Sequence, residues 1–147
     1  MITGRLRALR VLAAGALRPS ATVSELAFRV LPTDVDLNVH LTNSRYPQMM
    51  DLGRMDLLVR SGVGRAMSKA STWPVMVDLD LKFRRELRLG TAYTLQTRVT
   101  GQRRKAVIFE QRFLVGERLH AVGHATVVCL HGGKVVAPDV FAGLLDV

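Results

Sequence analysis

The sequence has a single cysteine, Cys129, among 147 residues. One thiol closes no intrachain disulfide and cannot supply a cysteine-rich zinc site, so both scaffolds are excluded. A reducing compartment is the natural setting for such cysteine usage. Aromatic residues make up only 5%, too few for the stacked platforms that bind single-stranded nucleic acid. No apolar run approaches the ~20 residues that a spanning helix requires. Internal repeats and low-complexity tracts are missing too, which excludes repeat arrays and long flexible linkers. Acidic residues are scarce: 12 Asp and Glu stand against 21 Lys and Arg, for a formal charge of +9. What remains, with 48% hydrophobic and 22% charged residues, is an ordinary globular composition whose length suits one hydrophobic core.

The positive excess is concentrated in two places. Residues 1–20 carry Arg5, Arg7, Arg10 and Arg18 with no acid, and residues 82–118 hold ten bases against Glu86, Glu110 and Glu117. Two basic patches on a near-neutral body point to two anionic partners or one wide one. Many of these side chains read equally as a solvated strand face. No recognisable nucleic-acid motif surrounds them, so nucleic acid is not expected as a partner.

At the N-terminus, Ile2, Leu6, Leu9, Ala13 and Ala16 recur at helical spacing. Leu12 and Leu17 widen the stripe, with Arg7, Arg10 and Arg18 on the other side, and Pro19 stops the pattern. Residues 1–20 therefore read as an amphipathic helix ahead of a domain over 21–147. Such a helix docks on the body or lies in the plane of a membrane surface. A secretory leader fits less well, because the apolar run 11–17 is short, contains Gly15 and meets Arg18-Pro19 at once.

Further on, Leu26, Phe28 and Val30 mark a strand over 22–31 that Pro32 ends, and 33–45 is a polar loop. A helix is expected from residue 46 to 61, with Pro47 in its first turn and Gly62 and Gly64 beyond its end. Met49, Met50, Leu52, Met55, Leu57, Leu58 and Val59 make it apolar nearly all round, which calls for a central, buried position. Gly53 in its middle costs about 1 kcal/mol against Ala, understandable if a neighbouring backbone approaches closely. Val75, Val77, Leu79, Leu81 and Phe83 then alternate with polar residues, Asp78 to Arg84, as a strand does. More strands follow over 93–99, 107–113 and 119–130, the last apolar on both faces and hence central. His131-Gly132-Gly133-Lys134 is a tight hairpin turn leading back into Val135-Val136. An antiparallel sheet wrapped around one long helix, an α+β architecture, satisfies this order. Its bare edges favour dimerisation.

Polar chemistry crowds the loop before the helix: Asp34, Asp36, Asn38, His40 and Asn43 fall within ten residues. Read structurally, Asp and Asn cap backbone donors there. Read chemically, carboxylates and an imidazole stand beside a helix N-terminus, whose partial positive charge suits a developing oxyanion.

The run Asp34-x-Asp36-x-x-x-His40-x-x-Asn43-x-x-Tyr46 resembles the Asp-x-Asp-x-x-Gly-His-Val-Asn-Asn-x-x-Tyr signature of the 4-hydroxybenzoyl-CoA thioesterase-like group of hotdog-fold proteins. The likeness runs from about Phe28 to Pro138. It includes Arg54, Leu89-Gly90, Phe109-Glu110-Gln111 and Ala125-Thr126-Val127-Val128-Cys129. The resemblance implies a hotdog fold and acyl-CoA thioester hydrolysis by a dimer or tetramer, without metal or redox cofactor. It places the site at a subunit interface beside the helix N-terminus, and by position it makes Asp36 the catalytic carboxylate. An aspartate is already ionised at neutral pH, so it can attack the thioester carbonyl or deprotonate a water without a partner base. His40 and Asn43 then orient substrate or loop, and Asn38 and Tyr46 are substrate-side candidates, Tyr46 serving packing as readily. Asp34 reads as a loop cap.

Two positions depart from the signature: Val39 stands at its Gly and Thr42 at its first Asn. Either change narrows the site, alters its substrate or marks a binder without turnover. The phosphates of coenzyme A would suit Arg103-Arg104-Lys105, or else Lys82, Arg84, Arg85 and Arg88. Met49, Met50 and Met55 read as core, or as the lining of an adaptable acyl pocket. The leading expectation is a cytoplasmic homo-oligomeric acyl-CoA thioesterase, peripheral at a membrane if residues 1–20 bind one. The alternatives are a non-catalytic acyl-CoA or lipid binder and an acyl-thioester hydratase. For the latter, Asp36-x-Asn38 followed by His40 resembles an Asp-x-Asn-Pro-x-His arrangement, with the histidine one residue early and the proline missing.

Overall fold

A computed structural model of the chain describes residues 2–17 and 20–145, so the helix stop read at Pro19 lies outside the described residues. The elements, in order, are α1 (Ile2–Leu17), β1 (Val23–Arg29), α2 (Arg45–Ser61), α3 (Val63–Lys69), β2 (Trp73–Phe83), β3 (Ala92–Arg103), β4 (Ala106–Val115), β5 (Arg118–His131), β6 (Lys134–Val136) and α4 (Ala142–Leu145). Single 3-10 turns at Pro32–Asp34 and Asp139–Phe141 precede the loop and α4. All strand pairs are antiparallel, in the order β1-β3-β4-β5-β2, with β6 also beside β5. The sheet curls around α2. This is the hotdog arrangement, with α1 added at its side.

The core divides along α2. Its first turns set Tyr46, Met49, Met50 and Leu52 against Leu87, Tyr93, Leu95 and Phe113, and its last turns set Leu57 among Phe109, Val127, Cys129 and Phe141. Each such side chain withdrawn from water contributes roughly 1.5–3 kcal/mol. Between the two clusters runs a polar belt. Arg54 Nη1 donates to Gln111 Oε1 at 2.6 Å, and Gln111 Nε2 donates to the Met50 carbonyl at 2.8 Å and Thr97 Oγ1 at 2.9 Å. Arg54 also pairs with the exposed Asp51. The helix is thus less uniformly apolar than its sequence reads, and Val59 is only partly covered, on the side that meets α1. Buried Arg54 and Asp56 take the places where a purely apolar helix would have hydrocarbon, and Gln111 of β4 meets Arg54 from the sheet.

Gly53 sits where the helix meets this belt. A Cβ there would lie 2.3 Å from Thr97 Oγ1 and 2.9 Å from Gln111 Nε2. The close neighbours are therefore side chains of the sheet, not the backbone the sequence led one to expect.

Two elements depart from the sequence reading. α3 fills the stretch between the helix end and β2, where the sequence marks no element: Gly62, at φ +81°, turns the chain, and Val63 and Met67 then bury one short face. Seven residues are too few to display a helical period. In β2 a bulge between Met76 and Asp78 interrupts the continuous alternation, leaving both Met76 and Val77 exposed. β5 is internal, with β4 and β2 on its two sides, as its two apolar faces require.

α1 docks by a face opposite to the one its periodicity marks. Ala8, Val11 and Gly15 form the seat against the body, while Leu6, Leu9 and Leu17 point outward. The reason is steric and electrostatic. A Cβ at Gly15 would come 3.2 Å from Asp56 Oδ1 and 3.4 Å from Val59 Cγ1, so small residues set the approach, and Arg7 fixes the rotation through Asp34.

Gly53→Ala gains helix propensity worth about 1 kcal/mol but forces Thr97 and Gln111 apart. The expected net effect is a loss of about 2 kcal/mol in urea unfolding; a variant as stable as the parent would show that the belt yields freely.

Candidate active site

The loop ahead of α2 is anchored by Asp34. Its carboxylate is buried, accepts both Arg7 Nη1 at 2.7 Å and Nη2 at 2.8 Å, and accepts the Leu31 N–H at 2.9 Å. Arg45 Nε stands 3.8 Å away, and the Asp34 carbonyl accepts the Thr42 N–H at 2.9 Å. Burial alone would raise this carboxyl. The hydrogen bonds from Arg7 and Leu31 and the charges of Arg7 and Arg45 outweigh it and hold the group below the ordinary carboxylate range. Asp34 is thus a cap and an anchor, with its oxygens already committed.

From this anchor the chain makes a narrow turn. Val35 pairs with Leu41, and the Asp36 carbonyl accepts the Val39 N–H at 3.0 Å, a register that sets Asp36 across from His40. Asp36 Oδ1 accepts the Asn38 N–H at 2.8 Å, the local turn that Asp favours. Asn38 contributes its backbone to this turn, and its side chain is exposed. Val39 adopts φ +60°, a left-handed conformation costing an L-residue roughly 1–2 kcal/mol and unusual for a β-branched one. The backbone geometry that glycine would serve is therefore retained without the glycine. On its far side the turn is stitched to the 87–89 segment: His40 bridges Arg88, the Leu41 N–H reaches the Leu87 carbonyl at 2.7 Å, and the Leu89 N–H reaches the Val39 carbonyl at 3.1 Å. Asp36 is exposed, and so are Leu37 (101% of its reference area), Val39 and Leu89 around it.

α2 begins at Arg45 behind Ser44, whose side chain makes no capping bond. Beside this start opens a cleft of about 680 Å³ lined by His40, Asn43 and Tyr46 on one wall and by Phe83, Arg84, Arg85, Glu86, Arg88, Arg118 and His120 on the other. The Tyr46 ring meets Phe83 and Phe113 edge-on at 4.8 and 4.9 Å, and burial pushes its hydroxyl up to about 12. Tyr46 therefore stays neutral and packs the cleft floor. The N–H groups of Arg84 and Arg85 both donate to the His120 carbonyl, at 2.8 and 3.0 Å, and His120 Nδ1 lies 2.9 Å from the Glu86 carbonyl. Since a carbonyl only accepts, Nδ1 is the donor in that contact.

The structure thus gathers His40, Asn43 and Tyr46 with Arg84, Arg85 and Arg88, and sets Asp36 across the turn from His40. It does not bring Arg103, Arg104 and Lys105 there. Those residues sit at the β3–β4 hairpin in the row of Val128, whereas the cleft lies in the row of His120, roughly 25 Å along β5. Arg118 and His120 were not singled out by the sequence. They enter the cleft because β5 starts where β2 ends, and that register has no local signal. Elsewhere, a smaller apolar cavity of about 300 Å³ lies between α2 and the sheet, with Met55, Phe109 and Phe141 in its wall. Met49 and Met50 are core.

Residues 30–144 match the thioesterase-like superfamily. Protein THEM6 of Xenopus laevis is 38% identical over 85 residues, covering 58% of this chain and 41% of that protein. Protein THEM6 of Danio rerio is 33% identical over 86 residues, covering 58% and 43%. The chain spans about two fifths of the length of these relatives. Among solved structures, the YbaW probable thioesterase from Escherichia coli superposes with a TM-score of 0.74 at 22% identity, over 79% of this chain and 90% of that one. The DHNA-CoA thioesterase from Staphylococcus aureus gives 0.68 at 15%, over 82% and 84%. At such identities the likeness is one of fold.

Two outcomes follow from the loop's construction. Because the Asp34 carboxyl lies lower in the folded state, its contribution is complete above the unfolded value of about 4 and fades as pH falls through the folded one. Asp34→Asn should cost about 3 kcal/mol at neutral pH, with the gap to the parent in urea unfolding closing as acid is added; a gap independent of pH would contradict the ion pair. Val39→Gly, by releasing the left-handed strain, should raise stability by about 1 kcal/mol in the same assay, and a loss would show that the Val39 side chain packs.

Proposed function

The chain belongs to the thioesterase-like superfamily, and from that membership we propose that it hydrolyses an acyl-CoA thioester with Asp36 as the reacting carboxylate. One observation carries the reading: an exposed carboxylate, held in a tight turn by the Asn38 N–H, stands across the turn from His40, and His40 lines a cleft walled by four arginines. Asp36 either attacks the thioester carbonyl carbon directly or takes a proton from the water that does so. On both routes the C–S bond breaks and coenzyme A leaves as the thiolate; on the direct route a water then hydrolyses the mixed anhydride formed on Asp36, releasing the acid and restoring the carboxylate. In the first turn of α2 the Arg45 N–H is taken by the Thr42 carbonyl, and Pro47 has none. The Tyr46 N–H is then the backbone donor left for the oxyanion, a contribution of about 3 kcal/mol. His40 and Asn43 orient the thioester.

Arg84, Arg85, Arg88 and Arg118 supply the positive wall for the phosphates of coenzyme A. Arg103, Arg104 and Lys105 are too distant within the same chain to share that task. The site is completed by a second copy of the chain. β2 is an edge strand among the described residues, and its Met76, Val77 and Phe83 are exposed, as are Leu37, Val39 and Leu89 around Asp36. Pairing of β2 with its counterpart covers the edge and brings a second surface to the cleft, since Phe83 and Arg84 stand at the end of that strand.

A hydrolysis screen over acyl-CoA thioesters of increasing chain length, aromatic ones included, tests the reading. Asp36→Asn should lower kcat about 1000-fold with an unchanged circular dichroism spectrum. Arg84→Ala with Arg88→Ala should raise KM about tenfold for the CoA ester but not for a truncated thioester lacking phosphates. Retained turnover in the Asp36 variant removes this mechanism. Tight acyl-CoA binding by the parent without turnover on any ester marks a binder instead.

A further inference from the structure

We propose that the outward face of α1 is a docking face for an anionic lipid surface. The helix has two apolar sides with different jobs. Ala8, Val11 and Gly15 are spent on the seat against the body, and Arg7 is spent on Asp34. What remains outside is a stripe of Leu6, Leu9, Ala13, Ala16 and Leu17, all exposed, with Leu6 at 51%, Leu9 at 64% and Leu17 at 89%. At 3.6 residues per turn these five fall within one third of the helix circumference. Arg5 and Arg10, both exposed, border the stripe on opposite sides, and α1 contains no acid.

The stripe is not waiting for a partner within the fold, because the helix is already seated by its other face. Two copies of this chain would bring matching arginine-bordered surfaces together, with repulsion between like charges. An anionic bilayer complements both features: the leucines enter the acyl boundary while Arg5 and Arg10 remain among the headgroups. The geometry is that of a helix lying in the interface plane. No helix among the described residues is long and apolar enough to cross a membrane.

Flotation of the full chain with phosphatidylcholine vesicles, alone or mixed with phosphatidylglycerol, tests the proposal. The parent should float with the mixed vesicles at low salt and remain behind with phosphatidylcholine alone. Leu6→Gln with Leu9→Gln, and separately Arg5→Gln with Arg10→Gln, should each cut the bound fraction about tenfold. Melting temperature and elution volume should not change, since none of the four side chains takes part in the seat. No binding to the mixed vesicles, or equal binding to both kinds, overturns the proposal. So does a leucine variant that elutes as a smaller species, for the stripe would then belong to a second copy.

Discussion

Everything in this fold follows from how closely α2 can lie against the sheet. At Gly53 the distance is set by Thr97, Gln111 and the absence of a side chain. With the helix that near, the apolar clusters on either side of the belt close, and a long rod is enclosed by a six-stranded sheet. The belt itself is a compromise. Burying Arg54 costs desolvation, which lowers its tendency to hold a proton, and Asp51 offsets only part of that. Gln111 then satisfies the guanidinium, the Met50 carbonyl and Thr97 at once, so a polar crossing point survives inside a hydrocarbon core.

Seating α2 also fixes where its N-terminus opens, and Asp34 converts that position into a loop geometry. One carboxylate ties α1 through Arg7, the chain before the loop through Leu31, and the start of α2 through Arg45. Residues far apart in sequence therefore meet at the group two positions before Asp36. The division of labour between the aspartates is physical. Asp34 is surrounded by donors and cannot offer an oxygen to a ligand, whereas Asp36 keeps only one backbone donor and faces out.

Much of this was legible in the residues. The period-two run from Val75 to Phe83, the hairpin at Gly132-Gly133 and the helix bounded by Pro47 and Gly62 all appear where local chemistry predicts them. Asp34 as a cap was readable for the same reason, since a short carboxylate before a turn has few other options. What stayed hidden depends on long-range pairing. The basic wall of the cleft joins Arg84 and Arg85 to Arg118 and His120, more than thirty positions later, through a β2–β5 register that no local pattern encodes. The bulge at Met76 is hidden for a different reason, because the apolar run Val75-Met76-Val77 reads as readily as a strand buried on both faces. α1 shows the limit of periodicity itself. The strongest apolar stripe faced outward because small residues and one buried ion pair decided the docking instead.

Val39 brings these threads together. A β-branched residue does not settle at φ +60° by preference, so something around it must outweigh the strain. Its N–H is fixed by the Asp36 carbonyl and its own carbonyl by the Leu89 N–H, while the adjoining His40 and Leu41 are paired with the 87–89 segment. Relaxing Val39 would break that stitching and slide Asp36 out of line with His40. Backbone strain that the surroundings over-determine in this way gathers where a particular side-chain placement matters, and here the side chain so placed is the exposed carboxylate across the turn from His40.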